Sequence, residues 1–490
     1  MYKSLDTLLR RAAVPAAAAL LAACASSGGL QPHSRTIDPA SLQASRALAD
    51  ARLDRASWPA TDWWKRFGDP QLDALIDEAL AGNPSTGAAR ARLDRAAALA
   101  GAAGAPLTPH VNAAADLNRQ RYSATGIFPP PIGGAWYTQS QLALQFSYEI
   151  DFWGKNRAAY EAALGQARAA EVDAFAARLL LSAAVAHAYA QLGLAFDQLD
   201  LARATLAQRQ AIFDLTRQRL AAGLDTKVEL KQAEASLPAT RQRIAQIEEG
   251  IALARNQLAA LAGKGPDRGL SIERPHAQAV PVALPSTLPA DLIGRRPDVV
   301  AQRWRVEAAR RDVDSAKAQF YPNINLAALV GVQTVSYGKL LSPDSRIPQA
   351  DAALLLPIFD GGRLRGNLGA RDADYDLAVE QYNQTVLDAV REVVDRLASL
   401  RSVDTQNNEA LAGLSAAEEA YGVAVARYRA GLGNYLQVLA AETQVLDQRN
   451  IRADLRYREL DLSIDLIRAL GGGFREASAQ QPSRTEKDPS

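Results

Sequence analysis

The chain has 490 residues, 48% hydrophobic, 22% charged and 6% aromatic, with 55 basic against 54 acidic side chains. It is long enough for a large core and too apolar to stay disordered, and its near-neutral balance gives nucleic acid no electrostatic footing. A single cysteine and four scattered histidines exclude a disulfide scaffold and leave no metal-ligand spacing. No GxxxxGK[ST], strand-preceded GxGxxG or GxSxG is present, so the sequence is not read as an enzyme and implies no cofactor.

In chain order, Lys3, Arg10 and Arg11 precede an apolar run from Ala12 to Ala23, the pattern of an export signal over residues 1–23. The run closes on Leu21-Ala22-Ala23-Cys24, which resembles the lipobox of bacterial lipoproteins and makes Cys24 the candidate lipid-modified N-terminus; the alternative is an ordinary signal peptide with a chance cysteine. Ala25 and Ser26 follow instead of Asp, as in lipoproteins sent to the outer membrane. Beyond this point no apolar run approaches the roughly 18 residues of a membrane helix.

Proline placement divides the rest. None occurs between Pro131 and Pro238 or between Pro357 and Pro482, whereas Pro266, Pro275, Pro281, Pro285, Pro289 and Pro297 crowd together. Since proline is costly inside a helix, the two free tracts can carry long helices and the crowded stretch reads as a linker. The halves repeat: Pro84 and Pro109 recur as Pro297 and Pro322, and Arg219, Gly223, Leu224 and Glu234 recur as Arg427, Gly431, Leu432 and Glu442. The expected organisation is a lipidated segment with a short helix (24–83), a first repeat (84–262), a linker (263–296), a second repeat (297–470) and a disordered tail (471–490). Trp58, Trp63 and Trp64 are read as core anchors of the first of these.

Each repeat reads as helix, strand, strand, very long helix, turn, second helix. Val172, Phe175, Leu179, Ser182, Ala186, Tyr189 and Phe196 form a seam spaced by threes and fours, as do Tyr382, Val386, Val390, Val393, Leu397 and Leu400. One helix from Trp153 to Leu220 would be roughly 100 Å long. Pro238 predicts a kink or break in the returning helix. The strands are expected at Val111–Asn118, Gln139–Ile150, Ile324–Val332 and Ala352–Ile358. The second alternates apolar Leu142, Leu144, Phe146, Tyr148 and Ile150 with Gln139, Gln141, Ala143, Gln145 and Ser147, as a membrane strand or a soluble hairpin would. Tyr122–Tyr137 and Thr334–Gln349 read as tip loops, with Trp136 and Tyr137 at a membrane interface. Four strands cannot close a barrel, so in a membrane several chains must share one; two, three or four copies would serve.

Taken in order, the lipobox, DWWKRFGDPQLDALIDEALAGNP (Asp62–Pro84), GRRPDV (Gly294–Val299) before AQFYPNINL, LPIFDGGRLRG ending at Gly366, and ARYRAGLGNYLQVL from Ala426 resemble the TolC-like outer-membrane efflux channels, in particular their lipoprotein branch. The resemblance implies a mainly α, duplicated chain: long coiled-coil helices forming an α-barrel, and a trimeric twelve-stranded transmembrane β-barrel. It implies a homotrimer in outer-membrane lipid that meets a periplasmic adaptor and an inner-membrane pump and exports drugs or other small compounds. A lipid-anchored periplasmic adaptor and a type I secretion channel are the competing readings.

The two helix-ending turns are then the candidate sites. Gly223 and Gly431 suit a left-handed cap, Arg219 and Arg427 complement the helix dipole, and Thr226 with Glu229 and Asn434 with Gln437 have capping-box spacing. Capping alone explains these residues. The resemblance adds adaptor docking through Arg219, Gly223, Leu224, Thr226, Arg427, Gly431, Leu432 and Asn434. It also suggests a periplasmic gate at this end, for which the candidates are Asp225, Glu229, Tyr435 and Gln437; solvated helix-end charges are the plain alternative.

Overall fold

The computed structural model describes residues 28–38, 41–42, 58–280 and 292–476. Cys24, the signal segment, part of the linker and most of the tail lie outside these residues. The chain divides into two compact units. One is drawn from Leu93–Ala170 and Gln302–Tyr382 with the described N-terminal segment up to Thr36, the other from Ile37–Arg92, Glu171–Ala301 and Asn383 onward.

The duplication is visible in the element boundaries. Short helices α1 (Pro70–Gly82) and α2 (Pro84–Gly104) lead to strands β1 (His110–Arg121) and β2 (Trp136–Ile150), then to α3 (Lys155–Ala221) and its return α4 (Lys227–Leu261). The second half repeats this as α5 (Pro297–Ala318), β3 (Asn323–Thr334), β4 (Arg346–Leu355), α6 (Arg363–Arg429) and α7 (Tyr435–Ala469). All four boundaries of α3 and α4 recur in α6 and α7 at an offset of 208 residues: Lys155 to Arg363, Ala221 to Arg429, Lys227 to Tyr435, Leu261 to Ala469. Each long helix has 67 residues, about 100 Å at 1.5 Å per residue. Their free N-terminal amides are met by aspartates: Asp151 accepts from Asn156 and Arg157 (3.1 and 2.7 Å), and Asp360 from Gly362 and Leu364 (3.0 and 2.8 Å).

The expected seams are buried where they pack. Val172, Leu179, Ser182, Ala186 and Tyr189 are buried on α3, and Tyr382, Val386, Val393 and Leu397 on α6. In the second unit the core gathers around Trp63, Leu72, Leu75, Ile76, Tyr189 and Leu192, all at most 1% exposed. Trp63 meets Trp64 and Phe67 edge-on at 5.8 and 6.0 Å, so these indoles are core anchors. Against the expectation that no run beyond the export signal approaches membrane length, one 18-residue stretch of α3 is long and apolar enough to cross a membrane by composition; 61% of it is buried inside the chain, so core packing accounts for it.

Three expectations need correction. Pro238 does not break the returning helix: α4 runs through it as one element, with Ala233, Leu237 and Thr240 buried on either side, so tertiary packing offsets the lost backbone bond. The fourth strand begins at Arg346 and ends at Leu355, earlier than expected. Its first residues alternate faces and pair with β3 as far as Arg346 opposite Val332, although Pro348 and Gln349 gave them the look of loop. The glycine triplet at 471–473 does not open a loose tail. All three residues have φ between +56° and +89°. They pack tightly: a Cβ on Gly471 would lie 1.9 Å from the Arg295 carbonyl oxygen and one on Gly473 2.3 Å from the Ala60 carbonyl carbon.

Candidate functional site

The four strands form one antiparallel sheet in the order β1-β2-β3-β4, so β1 and β4 are both open edges. The register aligns side chains across it: Ala115, Leu142, Val332 and Arg346 share one row, and Ala113, Leu144, Val330 and Pro348 another. Since neighbours in a row share a face, one face carries Val111, Leu117, Leu144, Phe146, Ile324, Leu326 and Leu354. The opposite face carries Asn112, Asp116, Gln141, Gln145, Asn325, Gln333 and Asp351. The alternation expected of the second strand therefore extends through all four. The apolar face is uncovered: Val111 is 64% exposed, Leu144 56%, Val330 66% and Leu354 68%. Such a sheet cannot stay alone in water, nor in lipid while its edges lack partners.

The helical tip contains the second set of predicted residues. Both turns are Schellman caps: Leu224 N–H donates to the Arg219 carbonyl (2.9 Å) and Leu432 N–H to that of Arg427 (2.8 Å). Gly223 and Gly431 sit at φ +71° and +78°, where only glycine avoids strain. Thr226 and Glu229 complete a reciprocal capping box, whereas in the second repeat Asn434 accepts from the Gln437 amide (3.0 Å) and makes the cap alone. Leu224, Val228, Leu432 and Leu436 are each at least 62% exposed, giving both turns an apolar surface.

The four gate candidates do not share one surface. Gln437 is exposed and Glu229 partly exposed, but Asp225 and Tyr435 are sequestered within the protomer. Tyr435 is 3% exposed and packs near Tyr428 with Ile212, Ala233 and Val438. The Asp225 carboxylate receives Arg219 Nε and Nη2 at 3.0 and 3.2 Å and the Tyr428 hydroxyl at 2.5 Å. Arg219 also donates to the Tyr428 carbonyl (2.7 Å), its guanidinium lies 4.5 Å from that ring's centre, and Tyr428 shares a hydrogen bond with Thr216 (2.9 Å). Burial alone would raise the Asp225 pKa, but the bonds from Arg219 and Tyr428 outweigh it and leave the carboxyl below its ordinary range. Burial, reinforced by the bond to Asp225, pushes the Tyr428 phenol up to about 12, so it stays a donor. One level along, Arg209 pairs with buried Glu442 (3.2 Å) and donates to Thr240 (3.0 Å), joining α3, α7 and α4. Sequence reasoning missed Tyr428, Thr216 and Arg209 because their 208-residue counterparts are Leu220, Ala424 and Ala417, so no repeat marks them.

The described N-terminal segment lies along α6. Gly28 is beside Arg365, Leu30 packs with Leu364 and Leu368, and the His33 and Ser34 amides donate to Asp376 (2.9 and 2.8 Å). The segment thus runs parallel to α6, and its start lies by the end of that helix nearest β4.

An uncovered, edge-open sheet with one apolar and one polar face, in a chain of very long paired helices, has the pattern of a channel-forming membrane protein. A profile described as Outer membrane efflux protein matches residues 75–264 and 288–472. The chain is 44% identical to the fusaric acid resistance protein FusA of Burkholderia cepacia over 365 residues, covering 74% of this chain and 69% of FusA. It is 33% identical to the multidrug resistance outer membrane protein MdtP of Escherichia coli K12 over 438 residues, covering 87% and 89%. Among solved structures it resembles VceC of Vibrio cholerae, with 38% identity and a TM-score of 0.81 over 85% of this chain and all of VceC. It also resembles the outer-membrane channel OprN, with 28% identity and a TM-score of 0.84 over 91% and 99%. The chain belongs to the outer membrane efflux protein family. It is an efflux channel subunit of the outer membrane, working as an oligomer with pump components; the comparisons support this reading and neither the adaptor nor the secretion alternative.

Proposed function

We propose that the protein acts as a homotrimer whose copies pool their sheets into one twelve-stranded barrel, a passive conduit for drugs or other small compounds. The observation that carries this reading is the sheet itself, apolar on one face, polar on the other and open at both edges. Unmet backbone groups along two edges would cost several kcal/mol each in lipid, tens in sum, and a ring of copies removes that cost. Twelve strands lie between the filled eight-stranded barrel and the sixteen-stranded porins, and the amide and carboxylate face keeps the bore wet. The resistance phenotypes named for FusA and MdtP support small compounds as cargo. No step of such transport needs a catalytic group.

The same reading makes the tip the meeting point with a periplasmic adaptor that links the channel to an inner-membrane pump. Exposed Leu224, Val228, Leu432 and Leu436, presented by the two matched turns, support docking there. The Arg219–Asp225–Tyr428 network ties the first hairpin to the second, and we assign it the fastening of the resting tip, with Glu229 and Gln437 left at the surface. Lipid modification of Cys24 is supported by the N-terminal segment: Gly28 lies by the sheet-proximal end of α6, and four extended residues reach at most about 14 Å. Planar-bilayer conductance together with the mass of the purified oligomer tests the whole reading. Stable conductance from a three-chain particle is expected; a monomer without conductance overturns it.

A further inference from the structure

We propose that the apolar face of the sheet, at the rim farthest from the long helices, binds phosphate-bearing lipid headgroups of the outer leaflet through Arg119, Arg121 and Arg346. This inference rests on the membrane-barrel reading. Its first support is a complete separation of charge between the two faces. The register puts the three arginines on the apolar face, which has no acidic residue on any of the four strands. The polar face has Asp116, Glu149 and Asp351 and no lysine or arginine. A surface tuned only for solubility would mix the signs.

The second support is level. On β1 the apolar positions run from Val111 to Leu117, followed outward by Arg119; on β4 they run from Leu354 to Pro348, followed by Arg346. From Val111 to Arg119, and from Leu354 to Arg346, eight residues at about 3.4 Å and a tilt of about 40° rise roughly 21 Å, close to the ~25 Å apolar band of such barrels. Leu117 stands opposite Ser140, two residues beyond Leu142, while Arg346 shares the row of Leu142. The band therefore steps along the sheet as tilted strands require; Arg119 and Arg346 each occupy the first outward position above their own strand's band, and Arg121 is the next on its face.

The third support is convergence. Arg119 and Arg121 belong to one edge strand and Arg346 to the other, so closing the ring brings Arg346 of one copy beside the pair of the next. Arg119 lies over the ring of Trp136 (5.7 Å), itself 62% exposed, and among the described residues Arg121 donates through Nε to the Gly134 carbonyl (3.1 Å), with its terminal nitrogens turned to no other described group. Guanidinium groups on an aromatic belt at headgroup depth match a phosphate in charge and geometry. The opposite rim is finished by Phe152, Trp153 and Phe359 instead.

The test loads the full-length oligomer into phosphatidylcholine bilayers containing bis-phosphorylated lipid A or its dephosphorylated form, and counts lipids retained after extraction by native mass spectrometry. Wild type should hold the phosphorylated lipid preferentially, and R119Q/R121Q/R346Q should lose it by about fivefold per arginine, the factor expected for one basic side chain at an anionic surface. Equal retention of the two lipids by wild type, or undiminished retention by an assembled variant, overturns the inference. If the variant does not assemble, the wild-type comparison alone decides. Conductance is recorded on the same wild-type sample: a non-conducting particle overturns the barrel reading and this inference with it, whereas a conducting channel indifferent to lipid phosphate overturns the inference only.

Discussion

Substituting Asp225 tests the tip network most directly. Arg219 and Asp225 are 8% and 7% exposed, so Asp225→Ala leaves a buried guanidinium without its carboxylate. Removing one partner of a buried pair costs about 3–5 kcal/mol; because Arg219 keeps the Tyr428 carbonyl and ring, the lower end, about 3 kcal/mol, is expected here. Tyr428→Phe deletes one charge-assisted bond to Asp225 and one to Thr216, about 2 kcal/mol. A loss of about 2 kcal/mol in the fastening shifts a closed-to-open equilibrium roughly thirtyfold. Single-channel recording should therefore find both variants open for longer or at higher conductance. Hydrogen exchange should quicken at the Gly223 and Leu224 amides, and a double-mutant cycle should return a coupling near 2 kcal/mol. Because the folded Asp225 pKa is depressed, its contribution is present above the unfolded value of about 3.8 and fades only as pH falls through the folded value, so wild type should keep its closed level at pH 5. Unchanged conductance and exchange in Asp225→Ala, with the variant folded, would refute the fastening role.

His187 sits between Asp461 (3.0 Å) and Asp465 (3.3 Å); burial alone would lower its pKa, but the two carboxylates raise it to about 9. Its stabilisation is fully present below the unfolded pKa of about 6.5 and is lost as pH rises through about 9. After discounting for partial exposure, His187→Gln should cost about 1–2 kcal/mol near neutrality and flatten the alkaline fall in thermal stability; an unaltered pH profile would remove the assignment. Trp63→Ala empties a site 1% exposed and should cost about 3–5 kcal/mol in chemical denaturation of the oligomer, with a loss under 1 kcal/mol contradicting its place as core anchor. Asp116→Asn with Asp351→Asn removes two of the three carboxylates on the polar face, so reversal potentials in a salt gradient should show a weaker preference for cations; the same potential in both proteins would mean that this face does not line the bore.

The fold was readable because its long elements lie in tracts almost free of proline: helices of 67 residues and a 208-residue echo leave little freedom of assignment. Strand limits were less readable. Arg346–Ala350 combines proline with polar residues, and only pairing to β3 makes it strand. At the tip, glycine, arginine and capping residues were legible because local backbone chemistry dictates them. The Asp225 environment was not, because the partner that buries it, Tyr428, comes from 203 residues away.

The same comparison explains why duplication and asymmetry coexist. Arg219 and Arg427 hold equivalent positions, yet the counterpart of Asp225 is Gly433 and that of Tyr428 is Leu220, so the network cannot be built twice in one chain. Arg427 instead donates weakly to the Leu432 carbonyl (3.3 Å) and is exposed. In a ring of three copies, six hairpins meet at six junctions, three within chains and three between them. Only the junctions within chains possess the buried carboxylate and phenol. Those between chains, flanked by glycine and leucine at the equivalent sites, lack that fastening and are therefore where a widening tip should part first. Cysteine pairs engineered across each kind of junction would separate the two: cross-linking between chains should hold the conductance at its closed level, while cross-linking within a chain should leave wild-type opening intact and abolish only the added opening of Asp225→Ala. Opening blocked only by the within-chain bond would reverse the assignment.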